Sequence, residues 1–374
     1  MIIGVPKEIK VHEYRVGLTP NSVFALTTSG HEVYLETNAG AAVGFSDRDY
    51  IDVGAKILPD AQAVFDIAEL IVKVKEPQAV ERAMLKPNQT LFTYLHLAPD
   101  PEQANDLLQS GCTAIAYETV TADDGSLPLL VPMSEVAGRL SVQAAAFSLE
   151  KHHGGEGILL GGVPGVEPAE VVVVGGGIVG SNAVQIAVGM GARVTVLDRS
   201  LNRLRWFNNR YGAEITTLYA DQKNLRTVLP KTDVVIGAVL IPGDAAPKLL
   251  TRTDLKIMRS GCVLVDVSID QGGCFETSRP TTHLDPTYTE ENIVHYCVAN
   301  MPGAVPRTST QALNNATLPF VLDLANKGPM RAMAENKHLA NGLNVYSGSI
   351  THASVARALK LDYTPLSEVI KSEV

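Results

Sequence analysis

Val171-Val-Val-Val-Gly175-Gly-Gly177-Ile-Val-Gly180 decides how this chain is read. Four consecutive valines make a strand that is apolar on both faces, which belongs in a parallel sheet covered by helices on either side. The glycines follow at once, and Ser181 to Val188 read as a helix. Strand, glycine turn and helix in that order suit the pyrophosphate of a dinucleotide. Gly175 permits a tight turn, Gly177 lets backbone approach phosphate, and Gly180 allows close packing of helix on strand. The helix start adds N–H donors and the positive end of a dipole. Eighteen residues after Gly180, the strand Arg193-Val-Thr-Val-Leu-Asp198 ends in a carboxylate placed for the adenosine ribose hydroxyls. Asp198 would repel a 2′-phosphate and so favours NAD, whereas the adjacent Arg199 is the residue type that serves NADP.

Working outward, 374 residues suffice for two or three domains with their own cores. With 45% hydrophobic and 19% charged residues, the composition predicts a compact soluble protein rather than a disordered one. A formal charge of −9 offers no electrostatic reason to expect nucleic acid or an anionic membrane as partner. Met1-Ile-Ile-Gly-Val-Pro begins as a strand, without the basic start or apolar run of a signal peptide, and no stretch is long enough to span a bilayer. Cys112, Cys262, Cys274 and Cys297 have no C-x-x-C spacing and read as reduced structural thiols in a cytoplasm. His152-His153 lacks a partner at metal-ligand spacing and reads as a solvated helix end.

The first third of the chain alternates strand-like runs (2–5, 32–36, 70–74, 91–97, 112–117) with helical ones (20–28, 60–67, 79–85, 101–109). Asp60 and Asp100 are cap candidates, and Gly30 and Gly111 are stops. After a turn-rich linker at 123–132, Ser134 reads as the cap of a long helix, and a second array follows with strands at 171–174, 193–197, 234–239, 262–267 and 293–298. A helix over 311–325 and a tail too small for its own core are placed back with the first array. The expectation is an α/β protein of two doubly wound, Rossmann-like domains with mostly parallel sheets and the active site in the cleft between them. Residues 1–130 with 304–374 would form a discontinuous substrate domain, and 131–303 the NAD-binding domain.

In open α/β sheets ligands bind beyond the carboxyl ends of strands, near a topological switch point. That rule picks Arg15, Lys75, His96 and Glu118 in the first array, and Asp270 and Asn300 in the second. Arginine can hold a carboxylate bidentately, lysine can polarise a carbonyl, and histidine can carry the proton that accompanies a hydride. The set suits hydride transfer involving a small keto acid. Alternatives stand beside each residue. Lys73 shares a strand face with Lys75, and only nearness to the strand end favours the latter. His96 shares a face with Phe92 and Tyr94, so on pattern alone a satisfied core histidine is the commoner outcome. Asp266 and Asp270 bracket one strand end, Arg15 alone reads as a surface residue, and Glu118 could merely anchor a turn.

Longer motifs carry a family resemblance. Gly4-Val-Pro-Lys-Glu-Ile, Glu13-Tyr-Arg15-Val-Gly-Leu-Thr-Pro20, Val72-Lys-Val-Lys75-Glu-Pro, Leu91-Phe-Thr-Tyr-Leu-His96-Leu and Gly161-Gly-Val-Pro-Gly-Val resemble the alanine dehydrogenase and pyridine nucleotide transhydrogenase family. Val265-Asp-Val-Ser-Ile-Asp270-Gln-Gly-Gly and the stretch from Asn300 to Pro319 look like its bacterial alanine dehydrogenase branch. The resemblance implies reversible, NAD-dependent conversion of L-alanine to pyruvate and ammonia. It implies that Arg15 and Lys75 bind substrate and that His96 and Asp270 are catalytic. Ser134, Ile178, Val179, Asp198, Val239, Leu240, Val267, Asp270, Asn300 and Met301 would line the cofactor site with the three glycines, and Arg203 and Arg279 would join them. Ala220 stands where relatives often have serine. Some relatives bind magnesium near Asp323 and position 327; Lys327 replaces the expected histidine, so no metal site is expected. A cytoplasmic homohexamer with small-molecule partners only, neither nucleic acid nor membrane, is implied. The rival readings are a transhydrogenase component, a silent NAD-binding protein, and a dehydrogenase for a larger amino acid.

Overall fold

The computed structural model describes residues 1–239 and 246–373, with side chains through residue 369. The chain divides into one unit of Met1–Met133 with Val305–Val374 and a second of Ser134–Ala304.

In the first unit β1 (Ile2–Val5), β2 (Glu32–Glu36), β3 (Lys56–Leu58), β4 (Leu70–Val72), β5 (Thr90–Thr93) and β6 (Thr113–Ala116) lie parallel in the order β6-β5-β4-β1-β2-β3. A late hairpin, Leu343–Tyr346 with Ser349–Ile350, adds antiparallel to β6. Order reverses between β1 and β4, which makes their carboxyl ends the switch point. Local chemistry sets the helices. Thr19 accepts from Ser22 N at the start of Pro20–Thr28, Asp60 accepts from Ala63 N before Ala61–Ile67, and Asp100 accepts from Gln103 N before Pro101–Ser110. Gly111 closes the last of these at φ 68°, a conformation that costs a residue with a Cβ.

β4 and β5 are shorter than the sequence pattern suggests, ending at Val72 and Thr93. Side chains intercept the backbone there. Glu8 accepts the N–H groups of Val74 (2.7 Å) and Lys75 (3.3 Å), and Glu118 accepts those of Leu95 (3.2 Å) and His96 (2.6 Å). The helix expected over 311–325 runs Pro306–Lys327, begun by proline at its first position.

The second unit holds β7 (Glu170–Val174), β8 (Arg193–Asp198), β9 (Ile215–Tyr219), β10 (Val234–Gly237), β11 (Val263–Asp266), β12 (Thr287–Glu290) and β13 (Ile293–Tyr296), in the order β12-β13-β11-β10-β7-β8-β9. All pairs are parallel except β12 with β13. The switch point falls between β7 and β10. The valine run is buried on both faces: Val171 and Val173 pack with Ala183, Val184 and Ala187, whereas Val172 and Val174 pack with Leu225 and Leu255. Burying each such side chain contributes about 1.5–3 kcal/mol. Ser134 is not a cap. The helix spans Val131–Ser148, because Val131 N already donates to Leu127 O at 3.1 Å, and Ser134 sits in its first turns.

Candidate active site

Beyond β7 the three glycines meet three different steric demands. Gly175 has φ 101°, and a Cβ there would lie 2.6 Å from Ala238 O. At Gly180 it would lie 1.8 Å from Gly175 O, so the helix cannot pack on its strand with any side chain there. At Gly177 a Cβ would meet nothing within 4 Å. The fold itself therefore tolerates a side chain at the one position where the sequence reading puts a ligand. Helix Ile178–Gly189 starts there, and the N–H groups of its first turn have no acceptor within the helix. The residues present thus fit a dinucleotide pyrophosphate.

Asp198, at the end of β8, accepts from Gly176 N and Ser200 N, each at 2.6 Å. It fixes the glycine turn as well as bringing negative charge beside it. Arg203 braces the same turn: Nε donates to Gly176 O (2.8 Å), Nη2 to Ser181 Oγ (2.6 Å), and the guanidinium packs 4.6 Å over Trp206. Ile178 and Val179 open the helix, Ile178 exposed and Val179 half-buried. Val239 and Val267 follow β10 and β11, and Ser268 Oγ joins their loops by donating to Val239 O at 2.7 Å. Leu240 lies outside the described residues. Asn300 adopts φ 58° after β13, and its carbonyl accepts from Gly303 N, while Met301 is buried in the core. Arg279 is exposed and stacks 3.9 Å over Tyr288.

Asp266 and Asp270 now separate. Asp266 is fully buried, accepting from Ser268 N (3.0 Å), Cys274 N (2.8 Å) and Ser278 Oγ (2.5 Å). Its carboxylate is consumed in shaping the loop. Asp270 is exposed on the short 3-10 turn Ile269–Gln271. Lys248 holds that loop's far side, donating to the carbonyls of Gly272, Gly273 and Phe275.

In the first unit Arg15, Lys75 and His96 follow β1, β4 and β5, at and beside the switch point. Arg15 is buried, contrary to the surface reading of it alone. Its Nε and Nη2 bond Glu13 bidentately at 2.7 and 2.6 Å, and Nη1 lies 3.0 Å from Met133 Sδ. Burial pushes the Glu13 carboxyl up, but the bonds and charge of Arg15, helped by Lys75, prevail and hold it at about 2. Lys73 and Lys75 also separate. Lys73 is fully buried between Glu81 (2.6 Å) and Glu8 (3.2 Å), whereas Lys75 is half-buried.

His96 is not a core histidine. Its side chain is 45% exposed, its φ is 50°, and its ring stacks parallel to Tyr94 at 5.8 Å. A left-handed conformation at a residue with a Cβ is a local strain that the surroundings must enforce. Glu118 does so through the two N–H bonds above, and its Oε1 lies 3.9 Å from Nδ1 of the ring. Tyr94 is itself fixed by donating to Leu129 O at 2.6 Å. The sequence pattern does not single out Glu8 or Glu13, and it offers Glu118 both as a strand-end candidate and as a turn anchor, the second of which matches its bonds to Leu95 N and His96 N. For Glu13 the signal was present, since a glutamate two residues before an arginine in a loop can close on it. For Glu8 none existed, because its partners, the Lys73 ammonium and the backbone N–H groups of Val74 and Lys75, lie 65 to 67 residues away.

Among the described residues no cluster of histidine, cysteine, aspartate and glutamate could hold a metal ion, and Lys327 pairs with Asp323 (2.5 Å) and Glu335 (2.9 Å). No helix among them is long and apolar enough to cross a membrane.

Comparison with known proteins yields two adjoining family matches. Residues 4–137 match the alanine dehydrogenase/PNT N-terminal domain and residues 141–353 its C-terminal domain. The chain is 57% identical over 370 residues to an alanine dehydrogenase of Halomonas elongata, covering 99% of this chain and 100% of the relative. A solved L-alanine dehydrogenase superposes with a TM-score of 0.94 at 50% identity, covering 96% of this chain and 99% of the other. A transhydrogenase from Sinorhizobium meliloti shares the fold at TM-score 0.81 but only 21% identity, covering 95% of this chain and 100% of the other.

Proposed function

Since the chain belongs to the alanine dehydrogenase/PNT family, we propose that it is an oxidoreductase catalysing L-alanine + NAD⁺ + H₂O ⇌ pyruvate + NH₄⁺ + NADH + H⁺. The observation that carries this reading is the set of cationic and titratable groups around the first switch point, on a chain 57% identical to a full-length alanine dehydrogenase. NAD would lie across Gly175, Gly177 and Gly180 with its ribose toward Asp198. When bound it supplies the hydride acceptor.

The protein's own groups divide the remaining work. Arg15, held by Glu13 through two bonds, would bind the substrate carboxylate. Lys75 would polarise the carbonyl oxygen of pyruvate. During deamination the α-carbon becomes an iminium, water adds to it, and the carbinolamine releases ammonia. His96 would take a proton from the attacking water and return one to the departing nitrogen, held in place by Glu118 and Tyr94. Asp270 would stabilise the cationic iminium. Ile178, Val179, Val239, Leu240, Val267, Asn300 and Met301 would contact the cofactor with Ser134 and Arg279. Arg203 fits better as a brace of the glycine turn than as a direct contact. A cytoplasmic homohexamer completes the reading.

The test is NADH oxidation followed by absorbance. It should require pyruvate and ammonium together, and L-alanine should reduce NAD⁺. Equal rates with pyruvate alone would identify a hydroxy-acid dehydrogenase instead, and NADH binding without turnover a silent binding protein.

A further inference from the structure

Beneath Lys75 lies a buried charge cluster that the proposed reaction does not use. Lys73, Glu8 and Glu81 have side chains at most 2% exposed. Two carboxylates share one ammonium there, and Glu81 alone suffices to balance it, at 2.6 Å against 3.2 Å for Glu8. Glu81 has a further duty within its own short helix, accepting Gln78 N at 2.7 Å. The second carboxylate therefore needs another explanation. Glu8 Oε1 supplies it by accepting two successive backbone donors, Val74 N at 2.7 Å and Lys75 N at 3.3 Å. These residues directly follow β4, which ends at Val72, and Glu8 takes their N–H groups at that point. Glu8 follows β1, so its bonds tie the two strands of the switch point together where Lys75 departs.

We propose that Glu8 is a positioning residue for Lys75: its Oε1, as a hydrogen-bond acceptor rather than as a charge, fixes the backbone from which the Lys75 side chain reaches substrate. This rests on the reading of Lys75 as a substrate-binding group. Lys73 and Glu81 form the neutral buried pair on which the Glu8 carboxylate is seated.

An acceptor role and a charge role make opposite claims about two nearly isosteric variants. Glu8→Gln keeps an amide oxygen for Val74 N and Lys75 N but loses the charge, and Glu8→Met loses both. Each leaves Lys73 paired with Glu81, so neither strands a buried ammonium. In the full-length protein, with steady-state kinetics at saturating NADH and ammonium, E8M should raise KM for pyruvate at least tenfold. E8Q should stay within about threefold of wild type. NADH affinity by fluorescence titration should be unchanged in both. Equal impairment of E8M and E8Q overturns the acceptor role, and so does a normal pyruvate KM in both. If E8M does not fold, a folded E8Q with a tenfold higher pyruvate KM still overturns it. Lys75→Met, assayed alongside, separates the two failures. A normal pyruvate KM in K75M removes the substrate role of Lys75 itself, whereas a raised KM in K75M beside a normal one in E8M removes only Glu8.

Discussion

Alanine substitutions at Gly177 and Gly180 separate what the glycine turn does for the fold from what it does for a ligand. At Gly180 the new methyl would sit 1.8 Å from Gly175 O, and backbone cannot move aside as a flexible side chain can. Overpacking of this kind costs about 1–3 kcal/mol or more. For a unit of this size that corresponds to a fall in Tm of roughly 2–12 °C. At Gly177 the methyl meets nothing within 4 Å, and φ of −69° suits any residue. There the loss of unfolded-state freedom should stabilise by about 0.4–1 kcal/mol, so Gly177→Ala should melt at or slightly above wild type. Only a ligand crossing Gly177 would register that methyl. Displacing a pyrophosphate from its N–H donors should weaken NADH by tenfold or more, equivalent to about 1.4 kcal/mol or above. Melting curves without ligand and fluorescence titration with NADH read the two quantities independently. A Gly177→Ala protein that melts normally and binds NADH as wild type does would refute the placement of the cofactor on this turn.

His96→Ala should lower turnover by about 10²–10⁴-fold while sparing both Tm and NADH affinity, because the ring is exposed rather than part of the core; a stopped assay beside a melt decides it, and near-wild-type turnover removes the catalytic role. Asp198→Gly should shift the ratio of NAD to NADP use toward NADP by removing the repelling charge, with Arg199 available to pair the extra phosphate; an unchanged ratio means Asp198 does not face the ribose. Glu13 has a folded-state pKa of about 2 against an ordinary 4.5, so its pairing stabilises fully above pH 4.5 and is lost as pH falls toward 2, a contribution on the order of 3 kcal/mol. Denaturant unfolding between pH 5 and 2.5 should show that slope in wild type and lack it in Glu13→Gln; parallel slopes in the two proteins would contradict it.

How much of this was legible in the sequence depended on whether an element's cause is local. β1, β2 and helix Pro20–Thr28 have local causes, an apolar run or a cap with proline behind it, and they could be read to the residue. β3, β9, β12 and the late hairpin were passed over. Lys56-Ile-Leu and Thr287-Tyr-Thr-Glu carry little apolar signal of their own and are strands only because a neighbour offers a ladder. The ends of β4 and β5 were overrun for a related reason. Periodicity continues through Lys75 and His96, but Glu8 and Glu118 take the backbone donors out of the sheet. That Lys73 and Asp266 are buried while Lys75 and Asp270 are more exposed depends on packing between distant segments. Those are tertiary facts. No residue spacing could have supplied them.

One physical device recurs at these positions. A loop leaving the carboxyl end of a parallel strand carries N–H groups that the ladder no longer satisfies, and leaving such a donor buried and unpaired costs about 1–3 kcal/mol. At the sites named here a carboxylate from another strand's loop, or from the last residue of a strand, accepts them: Glu8 for Val74 and Lys75, Glu118 for Leu95 and His96, Asp198 for Gly176, Asp266 for Ser268 and Cys274. At Glu118 two such bonds, from Leu95 N and His96 N, work against a positive φ at His96 that costs about 1–3 kcal/mol. Rigidity of this origin suits a site whose groups must meet a small substrate at fixed angles, since a misplacement of about 1 Å can cost 10²-fold in rate. It also explains why both units crowd acidic residues toward the ends of their strands where anionic ligands are expected. Asp198 shows both sides of this arrangement: its carboxylate braces the glycine turn through Gly176 N and Ser200 N and would still disfavour a 2′-phosphate beside it.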